Sequence, residues 1–234
     1  MNKRLWVVFG IIIVAILSLV VYTTTSKPEP TGIAVDDVEW TQAITKENIP
    51  EGFSDEDIAI AVDNITGKVD SDVVFIEWFN FQCSACQSLF HTLDDIYNEY
   101  SDRVAFVNRY LYLTGHPNGL ASTVAAEAAA RQGKYHEMHR EIFSNAELWN
   151  NATIETRESI FRSFAEKIDL DVEQWTDDYK NYENNGIKKR LDFQNKLGLE
   201  NGVTGSPFLI VNGEKVSNKK ESIREALDKA LEAN

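Results

Sequence analysis

The chain contains two cysteines, Cys83 and Cys86, three positions apart. Thiols at that spacing can close on one another and open again, so the pair can carry two electrons in thiol–disulfide exchange. The reactive form is the thiolate, which needs a positive environment. The flanking sequence provides one. Val73-Val74-Phe75-Ile76-Glu77-Trp78-Phe79 is β-branched and aromatic and reads as a buried strand. After Cys86, Leu89, Leu93, Ile96 or Tyr97, and Tyr100 recur at helical spacing. A strand therefore runs into a helix with Cys83 at the junction, where unpaired backbone N–H groups favour an anion.

Two other uses of the pair compete. A structural disulfide across two residues closes a very short loop and gains little. A zinc site could recruit His136 and His139, but these lie far beyond the roughly 12–15 residues of a zinc finger, and there is no second C-x-x-C. Redox chemistry is the stronger reading, with no metal and no cofactor expected. His91, His116, His136 and His139 read as structural or surface residues.

The 234 residues suffice for one domain and an appendage, and 43% hydrophobic content makes a core without disulfide staples. Net charge is −14. Lys3 and Arg4 are the only charges before Thr23, so the remainder carries −16. That acidity argues against nucleic acid and against an anionic lipid face. Leu5 to Val21 is apolar except for Gly10 and Ser18, and Lys3-Arg4 precedes it. This predicts a transmembrane anchor with its tip in the cytoplasm and the body outside, where disulfides persist. A cleaved signal peptide is the rival, but no clear A-x-A-like site follows.

Thr23 to about Pro50 reads as a stalk. Ile58–Val62 is predicted as a short strand, and Asn64-Ile65-Thr66-Gly67 as a turn. The helix after Cys83 should end near Ser101, and Val104–Tyr110 should form the next strand, parallel to the first. From Leu120 to Leu197 the pattern is helical. Ser122–Gln132 is alanine-rich and stopped by Gly133. Tyr135–Phe143 follows, then helices capped by Thr153 and Asp171, a break at Asn184-Asn185-Gly186, and a last helix ended by Gly198. Phe208–Val211, Asn212-Gly213 and Lys215-Val216 form a hairpin, and a C-terminal helix carries Ile223, Leu227 and Leu231.

In this layout the sequence resembles the DsbA-like branch of the thioredoxin superfamily, the disulfide oxidoreductases of bacterial envelopes. The resemblance rests on Cys83-Ser84-Ala85-Cys86 after a strand and on Glu77, six residues earlier, where the superfamily places a buried acid. It rests also on Tyr112–Asn118 leading through the alanine-rich helix to Gln132-Gly133-Lys134-Tyr135. Last comes Gly202-Val203-Thr204-Gly205-Ser206-Pro207-Phe208 with Val211-Asn212-Gly213, similar to the family's cis-proline loop and hairpin. It covers about Ile58 to the C-terminus. Two departures stand out. Ser84-Ala85 replaces the prototype's Pro-His, and Ser206 stands where other branches carry threonine or valine.

The resemblance implies an α/β thioredoxin fold with an inserted helical domain, preceded by the transmembrane helix. The expected divisions are a cytoplasmic tip and anchor (1–22), a stalk (23–57), a first thioredoxin part (58–116), the helical insert (117–197) and a second thioredoxin part (198–234). Cys83 would be the solvent-facing nucleophile and Cys86 the buried resolving thiol. Glu77 would exchange protons with Cys86, unless it is a strand-edge residue that reaches water. Gly205, Ser206 and Pro207 would meet an extended substrate peptide, Pro207 in a cis bond. The implied function is a membrane-tethered, extracytoplasmic oxidase. It would introduce disulfides into reduced, unfolded exported proteins and be reoxidised by a membrane redox partner. An isomerase or reductase on the same fold and a redox-inactive holdase are the alternatives.

Overall fold

The computed structural model describes residues 32–233, and a compact unit begins at Ile33. The expected membrane anchor, Leu5–Val21, lies outside the described residues. Among the described residues no helix is long and apolar enough to cross a membrane.

Helix α1 (Asp55–Ala61) and strand β1 (Ile65–Gly67) come first, then β2 (Val74–Phe79), α2 (Ser84–Tyr100) and β3 (Ala105–Tyr110). Six helices follow: α3 (Gly119–Ala130), α4 (Tyr135–Ser144), α5 (Ala146–Trp149), α6 (Ile154–Lys167), α7 (Val172–Lys180) and α8 (Ile187–Glu200). The hairpin β4 (Phe208–Val211) and β5 (Glu214–Val216) and helix α9 (Lys220–Ala233) close the fold. The five strands lie in the order β1-β3-β2-β4-β5. β2 is parallel to β3, and β1 and the hairpin are antiparallel additions. β2 is thus central and buried along its whole length, as its apolar character, broken only by Glu77, leads one to expect.

Alternation along β2 assigns its side chains to two faces. Ile76 and Trp78 join a core with Val35, Ile44, Ile49, Phe193 and Leu197. Phe75 packs towards α2 and α9, and Phe79 towards the helical cluster. That cluster is built on α3, whose Ala121, Ala125, Ala126, Ala128 and Ala129 are buried. Small side chains let neighbouring helices come close, and the Trp175 indole reaches the α3 backbone, donating to the Ala125 carbonyl at 3.1 Å.

Four local expectations are corrected. Residues 33–53, read as part of a stalk, are packed: Val35, Ile44 and Ile49 lie against the sheet, where sparse apolar residues without a period find a preformed surface. Ile58–Val62 is not a strand. Ser54 and Asp57 form a reciprocal capping box that starts α1 and overrides the β-branched composition. Ile65–Gly67 is not a turn but pairs antiparallel with Ala105–Val107 of β3. Gly198 does not end its helix, which continues to Glu200 and is followed by Gly202 at φ 82. Gly198 instead lets α8 approach Trp78, because a Cβ there would sit 2.6 Å from the indole nitrogen.

Gly186 has a φ of 92 at the α7–α8 break, and Asn212-Gly213 makes the hairpin turn with φ 42 and 85. Both are positions where the sequence signal and the backbone requirement coincide.

Candidate active site

β2 ends at Phe79, and the chain turns through Asn80-Phe81-Gln82 into the N-terminus of α2, with Cys83 as the N-cap residue. The turn is held by its own polar groups. The Asn80 carbonyl accepts from the Cys83 amide at 3.0 Å, and its side-chain oxygen accepts from the Gln82 amide at 2.9 Å. The Asn80 amide group donates to the Leu111 carbonyl at 3.0 Å and to the Tyr110 hydroxyl at 3.2 Å, tying the turn to the end of β3. Gly119 is required beside it, since a Cβ would lie 2.7 Å from Asn80 Oδ1.

A second set of amides ties the turn to the helices. Gln82 donates to the Asn150 carbonyl at 2.7 Å and accepts from the Asn118 amide at 2.7 Å. Gln87 donates to the Phe81 carbonyl at 2.7 Å and to the Asn150 side chain at 2.9 Å. Sequence reasoning passed over Asn80, Gln82, Gln87, Asn118 and Asn150. The signal available was an Asn-Phe-Gln break between two strongly periodic elements, which marks a turn but not its distant partners.

Both thiols are free, and both are largely covered: Cys83 is 8% exposed and Cys86 1%. Cys83 is therefore less open than its helix-start position suggested, because the loop before β4 lies against it. That loop carries the Ser206–Pro207 peptide bond in the cis form, and Cys83 Sγ lies 3.5 Å from the Ser206 carbonyl oxygen, to which it donates when protonated. The Ser206 hydroxyl is buried, faces both sulfurs and has no other hydrogen-bond partner among the described residues. At Gly205 a Cβ would meet nothing within 4 Å, so this residue lies on the open side of the loop. Ser84 and Ala85 point to solvent.

The two sulfurs are electrostatically unlike. The Cys83 thiol is brought down to about 5. Its largest stabilisation is the hydrogen bond from Cys86; burial opposes it, and the Ser206 hydroxyl and the backbone amides of Cys86 and Ala85 add to it. These amides are the first-turn donors of α2, which have no partner within the helix. The Cys86 thiol is pushed up, first by donating to Cys83, then by burial and by the nearby Glu77.

Glu77 is 2% exposed on the central strand, which rules out a strand-edge residue reaching water. Its carboxyl is pushed up to about 8, by burial and then by the charge on Cys83. Among the described residues one group supports it: Asn108, its register partner on β3, donates to Oε2 at 3.1 Å. Glu77 and Cys86 line one pocket. The arrangement thus places an anionic sulfur near the surface, a protonated sulfur one turn below and a titratable carboxyl beneath both. Chemically, it can take up or release a disulfide and move the accompanying proton. Among the described residues no cluster of His, Cys, Asp and Glu has the makings of a metal site.

A family model described as Thioredoxin matches residues 61–232. Curated relatives include the Na(+)/H(+) antiporter NhaA 1 of Mycobacterium sp. (strain KMS), 27% identical over 173 residues that are 73% of this chain and 26% of that protein. The Na(+)/H(+) antiporter NhaA 3 of Salinispora tropica is 28% identical over 155 residues, 65% of this chain and 22% of the relative. The chain thus spans about a quarter of the length of these relatives. Similar solved structures include a thioredoxin-like oxidoreductase from Silicibacter pomeroyi DSS-3, with a TM-score of 0.59 and 22% identity over 74% of this chain and 94% of the other. The thiol-disulfide exchange protein alpha-DsbA2 from Wolbachia pipientis has a TM-score of 0.60 at 18% identity, covering 71% and 86%. Oxidised BdbD from Bacillus subtilis has a TM-score of 0.60 at 15% identity, covering 73% and 93%. The match of the family model over most of the folded unit, with these likenesses in fold, shows that the chain belongs to the thioredoxin family and has the fold of its DsbA-like members.

Proposed function

We propose that this chain is a thiol–disulfide oxidoreductase that works as an oxidase of exported proteins. The observation that carries the reading is the asymmetry of the two sulfurs: Cys83 is held as a thiolate at about 5, while Cys86 is kept protonated. A substrate thiolate attacks Cys83 Sγ of the Cys83–Cys86 disulfide, and Cys86 leaves and takes a proton. A second substrate thiol then attacks the substrate sulfur of the mixed disulfide and Cys83 leaves as a thiolate, so two electrons pass to this protein. A stabilised Cys83 thiolate is a good leaving group and favours the reduced protein, and both effects drive oxidation of the substrate. That favours an oxidase over a reductase on the same fold. The backbone of the loop around Ser206 would pair with an extended segment of a reduced, unfolded polypeptide.

The body would lie outside the cytoplasm, tethered through Leu5–Val21, and a membrane redox partner would restore the disulfide. The occurrence of a similar segment within proteins named as sodium–proton antiporters agrees with a place beside a membrane. Antiport itself is not assigned to this chain.

The test is trapping together with a redox equilibrium. Cys86→Ala should accumulate mixed disulfides with exported proteins, and Cys83→Ala none. Equilibration with glutathione should give a potential well above the roughly −270 mV of a thioredoxin-type reductant. A potential at or below that value overturns the oxidase assignment. A wild-type protein that oxidises no reduced test protein leaves the holdase.

A further inference from the structure

The pocket that contains Glu77 and Cys86 has a volume of about 40 Å³ and extends away from the substrate loop, between α2, α4 and the sheet. Its construction follows from three periodicities. Phe75 and Glu77 alternate onto one face of β2, opposite Phe106 and Asn108 of β3 in the same register. Phe90, Leu93, Asp94 and Tyr97 share one face of α2, and His136, His139, Arg140 and Phe143 share one face of α4. The lining combines the rings of Phe75, Phe90, Tyr97, Phe106 and Phe143 with the polar side chains of Thr66, Asn108 and the groups below.

Glu77 and Cys86 are the buried acids. At the outer end, Arg140 donates to Asp94 at 3.0 Å, with side-chain exposures of 47% and 17%. His136 stacks on Tyr97 at 3.9 Å beside them. His139 lines the same pocket. Its ring packs 5.2 Å from Phe81 and 4.9 Å from Phe143, centroid to centroid. Its Nε2 is shut off from solvent and has no hydrogen-bond partner among the described residues. A hydrophobic ring would fill the aromatic cluster without leaving a buried polar atom unsatisfied, which costs on the order of 1–3 kcal/mol. A pocket of this size exceeds the roughly 10–15 Å³ needed for a water, and a buried water needs two to four polar partners. His139, with its unpaired Nε2, lines this pocket together with Glu77 and Cys86, so the polar groups such a water needs are present in the lining.

We propose that His139 is a positioning residue of the exchange reaction: its Nε2 holds the water through which Glu77 passes protons between Cys86 and the Asp94–His136–Arg140 end of the pocket. This rests on the exchange reading of Cys83 and Cys86. The imidazole is kept neutral, brought down to about 3 by burial and then by His136, so it adds no charge beside Glu77. The groups that titrate or carry charge around the route are Glu77, Cys86, Asp94, His136 and Arg140, with the Cys83 thiolate above Glu77.

In reoxidation by a small disulfide such as oxidised glutathione, the Cys83 thiolate attacks one glutathione sulfur. A mixed disulfide forms and one glutathione thiolate leaves. Glu77 carboxylate then takes the Cys86 proton through the water. The Cys86 thiolate attacks Cys83 Sγ, the Cys83–Cys86 bond forms and the second glutathione thiolate leaves. Two electrons pass to glutathione. Glu77 then loses the proton along the water to the outer end.

Rapid mixing of the reduced protein with oxidised glutathione, with acid quenching and mass measurement across pH 5–10, separates the two steps. His139→Phe should keep the fold and the first step, because the new ring suits the cluster. It should slow resolution of the mixed disulfide about tenfold, below the 10²–10⁴-fold typical of losing the acid–base group itself. The inflection of the resolution rate should move above the wild-type value, since Glu77 loses a hydrogen-bonded water. His139→Gln, which keeps a polar atom, should recover most of the rate. If His139→Phe resolves the mixed disulfide at the wild-type rate with the wild-type pH profile, the route is wrong while the exchange reading stands. If both variants slow resolution equally, the ring rather than its polar atom matters, and the water-holding role is overturned. If the wild type forms no mixed disulfide, the exchange reading itself falls and the route with it.

Discussion

Asn108 and Arg109 are neighbours on β3 and point to opposite faces of the sheet, and each meets a buried acid. On one face Arg109 and Asp63 form an ion pair with both side chains fully buried. Arg109 donates to the two Asp63 oxygens at 2.9 and 2.6 Å and to the carbonyls of Trp40 and Gln42, and it lies 4.7 Å over the Trp78 ring. Asp63 also accepts from the Ile44 amide at 2.8 Å. Every charge there has a partner, and the pair clips residues 40–44 onto the sheet. On the other face Glu77 has, among the described residues, one amide donor, Asn108, and no cation. Burial without a counter-ion makes a carboxyl hold its proton, so the same sheet carries one acid committed to structure and one able to change charge near neutral pH.

The largest test of the contrast is the pH dependence of stability. Glu77 is raised from an unfolded value near 4.5 to about 8 in the fold. Its stabilisation is therefore fully present below the unfolded value and is lost as pH rises through about 8. At about 1.36 kcal/mol per unit, the loss is on the order of 5 kcal/mol. Cys83, lowered to about 5, slopes the other way, so the readout is the difference between the wild type and Glu77→Gln. Urea midpoints at pH 5 and pH 9 should show the variant gaining on the wild type as pH rises. Parallel curves would mean that Glu77 is charged and solvated like any surface acid.

Next is Arg109→Met, which leaves Asp63 buried and uncompensated. It should cost about 3–5 kcal/mol at neutral pH by denaturant unfolding. The titration of the Cys83 thiolate absorbance should not move, because the pair lies on the other face. A cost under about 1 kcal/mol would place the pair with weak surface salt bridges.

A smaller effect is expected at Ser206. Its buried hydroxyl faces the thiolate and helps to hold it, so Ser206→Ala should raise the Cys83 pKa by up to about one unit, or about 1.36 kcal/mol. No shift in thiolate absorbance would leave Cys86 and the backbone amides as the source. The smallest effect is expected for Ala85→His. Position 85 is exposed, so an imidazolium there is screened. The potential should become more oxidising by less than about 30 mV, the equivalent of about 1.4 kcal/mol. A larger change would show that the intervening pair tunes this site more strongly than the fold beneath it.

The sequence by itself determined the Cys83–Cys86 turn and the elements that present it. The apolar run of β2, the helical spacing after Cys86, the alanine-rich α3 and the Asn212-Gly213 turn are local signals, each sufficient for its own element. Glu77, Ser206 and Pro207 were legible through their order along the chain in the family pattern. What the tertiary structure decided was pairing over long separations. Val35, Ile44 and Ile49 have no period of their own and are buried because a sheet face awaits them. Arg109 in an apolar strand signals a need for a partner, but nothing local names Asp63, 46 residues away. Ile65–Gly67 is a strand because β3 offers an edge. His139 sits three residues from His136 as any two residues on a helix face do, and only the packing of α4 over β2 brings it towards Glu77 and Cys86. Hydrophobic period and capping act within one turn or one strand. Charge pairing and pocket lining depend on where those finished elements meet.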